Sequence, residues 1–302
     1  MEGHQFVLSI FCLTTAEDFI MTYLQQLLQD QADRKSYICA GVDTDDEKMP
    51  KGRSGQLLGR GSLKSRLLYF GKQYLYQLFD RTCVCKPNLA FWAAYGAEDT
   101  LTELIQYAHD LGMQVILDAK YGDIGNTARF YAKTAFERFK ADAVTVNAYL
   151  GSDTLDPWLD YGPEHAVYVL CHTSNPGAGE FQEQMLSSVD RQLFVHLADK
   201  VTAKQKDGCT QIGLVMGATF PEQIKLLHGV VPDDTTPLLL PGIGKQEGAL
   251  LETIRNARRY PFVVNMSREL MYAARNRHFA QAAAAKAGEY NIRIAEVMAA
   301  TA

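Results

Sequence analysis

The chain has 302 residues, 47% of them hydrophobic and 22% charged, with a formal net charge of -5. This supplies apolar material for one large α/β domain or two modest ones. The negative balance excludes a nucleic-acid binder driven by phosphate neutralisation. Six cysteines, at positions 12, 39, 83, 85, 171 and 209, form no Cys-x-x-Cys pair, so reduced thiols in a cytoplasmic protein are the simplest account.

In chain order, a short apolar stretch from Phe6 to Leu13 comes first. It lacks a basic leader and runs into Glu17 and Asp18, unlike a cleaved secretory signal. No run approaches the roughly 18 consecutive apolar residues that cross a bilayer, so no membrane association is expected. A helix from about Thr15 to Gln31 follows, within an N-terminal cap over 1–36. Short runs rich in Val, Ile and Leu then predict strands at 37–43, 82–88, 114–120, 142–148, 166–173, 211–218, 237–244 and 262–268. They read as buried on both faces, as parallel strands under helices are. Amphipathic segments between them predict helices over 97–112, 221–231 and 247–260, the first stopping at Gly112. One segment breaks the rhythm: residues 48–66 hold six basic residues, four glycines and no acid, a basic loop insertion. Eight strands alternating with helices match an α/β fold of the (β/α)8 TIM-barrel type with an extra N-terminal helix, in a single domain over 1–302.

The third strand runs into "LDAKYGDIGNTA" (117–128), which sets Asp118, Lys120 and Asp123 within six residues. Side chains two apart in a strand share a face, and charges at a buried strand end are paired or put to use. From these residues alone a structural salt bridge and an active site both remain open. Barrel enzymes work at the C-terminal ends of their strands. Polar groups recur at those ends here: Asp43 on the first strand, Lys86 and Asn88 on the second, Thr173 and Ser174 on the fifth. The seventh runs into "PGIGKQEG" and the eighth into "NMSRE". Glycine-turn amides, Gln246 and the planar fork of Arg268 suit an anion such as phosphate. The glycine-rich "NPGAGEFQEQ" (175–184) is a candidate lid.

The stretch "LDAKYGDIGNTA", with "AGVDTD", "CKPNLAFW", "VTVNAYLG", "HTSNPGAG", "GLVMGAT", "LLLPGIGKQEG" and "VVNMSRELMYA", resembles the orotidine 5'-phosphate decarboxylase family, in its longer, second group. The resemblance runs from Tyr37 to Ala274. It implies a cofactor-independent lyase of pyrimidine (UMP) biosynthesis, EC 4.1.1.23, converting orotidine 5'-monophosphate to UMP and CO2 with no metal. It further implies a catalytic row of Lys86, Asp118, Lys120 and Asp123, in which Lys120 protonates C6. Asp43 and Lys86 would hold the ribose, and Asn88 and Ser174, with Thr173 beside it, the pyrimidine edge. Gln246, the Ser267 backbone and Arg268 would grip the phosphate. Asp123, Ile124 and Thr127 would act across the interface of a homodimer, and orotate phosphoribosyltransferase is a further expected partner. Lys245 and Glu247 depart from the commonest form of the phosphate loop.

Two other readings are open. A metal-dependent sugar-phosphate decarboxylase or aldolase of the same barrel superfamily shares the Asp-x-Lys-x-x-Asp spacing. A non-catalytic phosphate-binding barrel is the second, because fold alone does not confer activity. The acidic run "DTDDE" (43–47) lacks the glycine and distal glutamate of a calcium loop.

Overall fold

Eight parallel strands hydrogen-bond into a closed ring in this computed structural model, which describes residues 21–52, 56, 58–242 and 247–300. They are β1 (Ile38–Val42), β2 (Val84–Pro87), β3 (Gln114–Tyr121), β4 (Ala143–Val146), β5 (Ala166–His172), β6 (Gln211–Met216), β7 (Leu238–Leu240) and β8 (Phe262–Met266). Each strand bonds to its sequence neighbours, and β8 closes the ring on β1, where Ile38 pairs with Val264. Every residue of β1, β2, β4, β7 and β8 is buried, which explains their mainly apolar composition, broken only by Lys86, Thr145 and Asn265.

The two faces serve different layers. Outward residues such as Ile38, Ala40, Val115, Val144 and Val264 join the large core beneath the helices. Inward residues Cys39, Val84, Ile116, Ala143, Ala166, Tyr168, Val215, Leu239 and Val263 fill the interior. The barrel is therefore a packed solid rather than a pore. Cys39, Cys83, Cys85 and Cys171 are buried free thiols, and Cys209 is partly exposed.

The principal helices are α1 (Tyr23–Arg34), α2 (Leu63–Leu78), α3 (Glu98–Asp110), α4 (Gly125–Lys133), α5 (Leu193–Thr202), α6 (Glu247–Ala257) and α7 (Phe279–Ala299). Helix α1 begins at Tyr23, where Thr22 closes a capping box with Gln25, and it continues past Gln31 to Arg34. The expected start at Thr15 lies outside the described residues. Helix α1 lies across the N-terminal mouth of the ring. Tyr23 OH meets Tyr168 OH at 3.2 Å, Gln31 Nε2 donates to Phe262 O at 2.7 Å and Arg34 Nη1 to Cys83 O at 2.9 Å.

Three expectations need correcting. The helix over 221–231 is only Pro221–Lys225. Beyond it Gly229 takes a φ of +73° and His228 bonds the Asn256 carbonyl of α6, which turns the chain away. Strand β7 stops at Leu240, where Pro241 lacks an N–H and Gly242 has a φ of +96°. Ser62 caps α2, so Lys64 and Arg66 of the basic segment stand on its first turn and not in a loop. The hairpin of Met185–Leu186 with Arg191–Gln192 was not expected.

Candidate active site

Side-chain alternation carries the inner layer straight into the site. Two residues beyond the apolar inward positions of β2, β3, β4 and β8 come Lys86, Asp118, Thr145 and Asn265. One step further, or on neighbouring strands, come Asp43, Lys120 and Ser267. The period that buries Val84 and Ile116 thus aims the polar set into the C-terminal mouth.

A charged row crosses this mouth. Lys86 Nζ donates to Asp118 Oδ2 at 2.5 Å, and Lys120 Nζ donates to Asp118 Oδ1. The Lys86 and Asp118 side chains are 4% and 9% exposed, whereas Lys120 is 50% exposed, so Lys120 is the member that can meet a substrate. Burial disfavours the Lys86 ammonium, yet Asp118 and then Asp43 outweigh it and raise its pKa above the ordinary lysine value. Burial likewise opposes ionisation of Asp118, but Lys86 and Lys120 hold its carboxyl well below the usual carboxylate range. Both groups are ionised at neutral pH. Beneath them the Cys39 thiol is pushed up to about 12 by burial and stays neutral.

Lys120 itself has a left-handed backbone, with φ +51°, where the β3–β4 register shifts between Leu117 and Tyr121. For a residue with a Cβ this conformation costs on the order of 1–2 kcal/mol.

Beside the row lies a cavity of about 210 Å³ lined by Asp43, Ser174, Gly242, Asn265, Ser267, Arg268 and Glu269. Asp43 Oδ1 is buried with no hydrogen-bond partner among the described residues, an acceptor ready for a hydroxyl. Its loop is fixed by Tyr272, whose OH donates to Asp43 O at 2.7 Å, and by Tyr95, whose OH donates to Asp46 Oδ1 at 2.7 Å. Arg268 opens the short helix Arg268–Met271 and is exposed at the cavity rim. Glycines let backbones close in here. A Cβ on Gly41 would come within 1.9 Å of Ser267 Oγ, and one on Gly242 within 2.6 Å of Ser174 Cβ.

Several expected residues also serve the local structure. Asn88 Oδ1 caps the helix Leu89–Ala93 by accepting the Ala90 N–H at 3.1 Å. Thr173 is tied to the following loop: its N–H donates to Gln182 Oε1 at 2.8 Å, and Gln182 Nε2 donates to its hydroxyl at 2.8 Å. Ser174, not Thr173, lines the cavity beside Arg268. The candidate lid 175–184 is anchored at its far end, where Glu183 Oε1 bonds buried His172 at 2.9 Å and accepts from Gln223 at 3.2 Å. Asp123 makes no ion pair with Lys86 or Lys120 among the described residues; its Oδ1 accepts the Ile124 N–H at 2.8 Å, and Ile124 and Thr127 are exposed. Gln246 and Lys245 lie outside the described residues, as does the side chain of Glu247.

Sequence reasoning missed Thr145 and Asn265. A polar residue inside a run as apolar as "AVTV" or "FVVNM" was the available signal.

A model of the orotidine 5'-phosphate decarboxylase / HUMPS family matches residues 36–283. The chain is 41% identical over 268 residues to the orotidine 5'-phosphate decarboxylase of Cupriavidus taiwanensis, covering 87% of this chain and 94% of that one. The enzyme of that name from Dechloromonas aromatica matches with the same identity and coverage. The structure of Leishmania donovani OMP decarboxylase aligns at a TM-score of 0.73 and 29% identity, covering 92% of this chain and 99% of that chain. Leishmania donovani UMP synthase aligns at 0.75 and 30% identity, over 92% of this chain and 57% of that one. Agreement of this extent, in sequence and in fold, means that the chain belongs to the orotidine 5'-phosphate decarboxylase family, carboxy-lyases of pyrimidine biosynthesis (EC 4.1.1.23).

Proposed function

We propose that this orotidine 5'-phosphate decarboxylase uses Lys120 as its acid, within the row Lys86, Asp118, Lys120 and a partner subunit's copy of Asp123. The observation that carries the reading is the double use of Asp118, which holds a buried and a half-exposed lysine at once. The bond from C6 of the pyrimidine to its carboxylate breaks, CO2 departs and the electron pair stays at C6. The Lys120 ammonium stabilises that developing charge and then gives C6 its proton, yielding UMP. This chain's own side chains thus supply both the electrostatics and the proton, and no cofactor is called for.

The acids also crowd the substrate carboxylate. Two like charges about 4 Å apart cost roughly 4 kcal/mol at an effective dielectric near 20. Enzymatic accelerations correspond to about 8–23 kcal/mol, so repulsion alone is too small. Contacts with the remote phosphate supply the rest by holding the nucleotide in register. Arg268, the Ser267 backbone and Gln246 take that part, Asp43 and Lys86 the ribose, and Ser174 and Asn88 the pyrimidine.

A homodimer completes the site. Asp123 makes no ion pair with the row of its own chain among the described residues, and large apolar side chains, Ile124, Phe130, Tyr149 and Leu150, are exposed near it in sequence or on the adjoining strand end. Ile124 and Thr127 accompany Asp123 into the partner's site. We place the enzyme in the cytoplasm, as one barrel domain capped by α1. No helix among the described residues is long and apolar enough to cross a membrane. Orotate phosphoribosyltransferase, whose product is this substrate, is the expected associate.

Spectrophotometric decarboxylation of orotidine monophosphate, run with a chelator present, tests the reading. Wild-type protein is expected to turn over, and Lys120→Ala to lose turnover while still binding UMP. Activity that vanishes with chelator, or a Lys120→Ala enzyme that still turns over, overturns it.

A further inference from the structure

Lys120 has a left-handed backbone at a point where the strand ladder is broken, and both features need something to hold them. Thr145 of β4 does so. Its side chain is buried, and its Oγ1 accepts the N–H of Ala119 at 3.0 Å and of Lys120 at 2.9 Å. The same oxygen donates its proton to Asp118 Oδ1 at 3.0 Å. A hydroxyl has one proton and two lone pairs, so each is used once. The two amides it accepts lie within the register shift between Leu117 and Tyr121, and a buried amide left without a partner costs about 1–3 kcal/mol.

We infer that Thr145 is a positioning residue for decarboxylation: its hydroxyl fixes the backbone turn at Lys120 and orients the Asp118 carboxylate, so that the Lys120 ammonium is held at C6. The inference rests on the reading of Lys120 as the acid and adds a residue to it. Thr145 touches no substrate in this arrangement. The chemistry of the residue type matters: valine has the shape of threonine but neither accepts the two amides nor donates to the carboxylate. Serine retains all three bonds and loses only a methyl group.

The test compares Thr145→Val and Thr145→Ser with wild type in CO2 release from orotidine monophosphate, measuring kcat and KM. Exchange protection of the Ala119 and Lys120 amides is measured in the same proteins. Thr145→Val is expected to lower kcat by roughly 10- to 100-fold, the scale of a misplaced catalytic group. KM should move less than about threefold, because the phosphate grip is untouched. Both amides should lose protection, and Thr145→Ser should restore kcat and protection together. A purely structural role would not split kcat from KM in this way. Should Thr145→Val fail to fold, Thr145→Ala carries the same readings with less crowding. Wild-type kcat in the hydroxyl-free variants, or a loss that serine does not restore, overturns the inference alone. Wild-type protein that releases no CO2 overturns the underlying reading, and this one with it.

Discussion

Asp118 uses both carboxylate oxygens on cations, so it holds the row together and, in the function proposed above, serves the chemistry as well. Replacing it with asparagine removes the charge that offsets the burial of Lys86. Breaking one side of a buried pair costs about 3–5 kcal/mol, so Asp118→Asn is expected to lower the urea midpoint markedly as well as the rate. A loss under about 1 kcal/mol would mean that Lys86 relaxes to water and that the pair is not buried in solution. At this scale much of the site was legible: residue type and spacing in "LDAKYGDIGNTA" pointed to the row, and "NMSRE" to Arg268. Two kinds of residue were not legible. Thr145 reads as an ordinary β-former, since nothing local shows the register shift it repairs. Gly217 reads as a strand residue and Gly242 as a turn glycine, whereas both give room to Ser174, whose backbone and Cβ lie 2.8 and 2.6 Å from where their own Cβ atoms would be.

Among the elements, the junction of α3 with β3 and β4 carries a second ionisable pair, at the opposite end of the barrel from the row. Asp142 Oδ2 accepts the Val115 N–H at 2.6 Å and bonds His109 Nε2 at 2.9 Å, with His109 in the last turn of α3. The bond to Asp142 raises the His109 pKa, and burial only partly opposes it. A folded pKa above the unfolded value of about 6.5 means that folding favours the protonated ring. Its contribution is fully present below pH ~6.5 and is lost as pH rises through the folded pKa. Denaturant midpoints at pH 6 and pH 8 should therefore fall more steeply for wild type than for His109→Gln. The difference should be about 1 kcal/mol, as for a cation at a helix C-terminus. Parallel pH slopes in the two proteins would contradict the assignment. The strands and α3 were legible because apolar runs and an amphipathic stripe survive in any environment. The helix over 221–231 was mispredicted because its periodicity continues past Lys225, while Gly229 and the long-range bond from His228 to α6 decide the local path. The hairpin after β5 has strands of two residues each, below what alternation can reveal.

For the whole molecule, the ring of eight strands was legible from their number and even spacing, but the assembly state rests on Asp123 acting in trans. That arrangement makes a complementation prediction. Lys120→Ala and Asp123→Ala homodimers should each be nearly inactive. In a statistically mixed population, heterodimers hold one doubly damaged site and one intact site, so about a quarter of the sites should recover. Mixed chains that regain nothing would show that Asp123 works within its own subunit. The position of α1 has its own consequence. With Tyr23 and Leu27 stoppering one end and a solid interior above them, the barrel offers a single doorway among the described residues. Nucleotide arrival and departure then share one threshold, so a segment closing over it would throttle traffic in both directions alike.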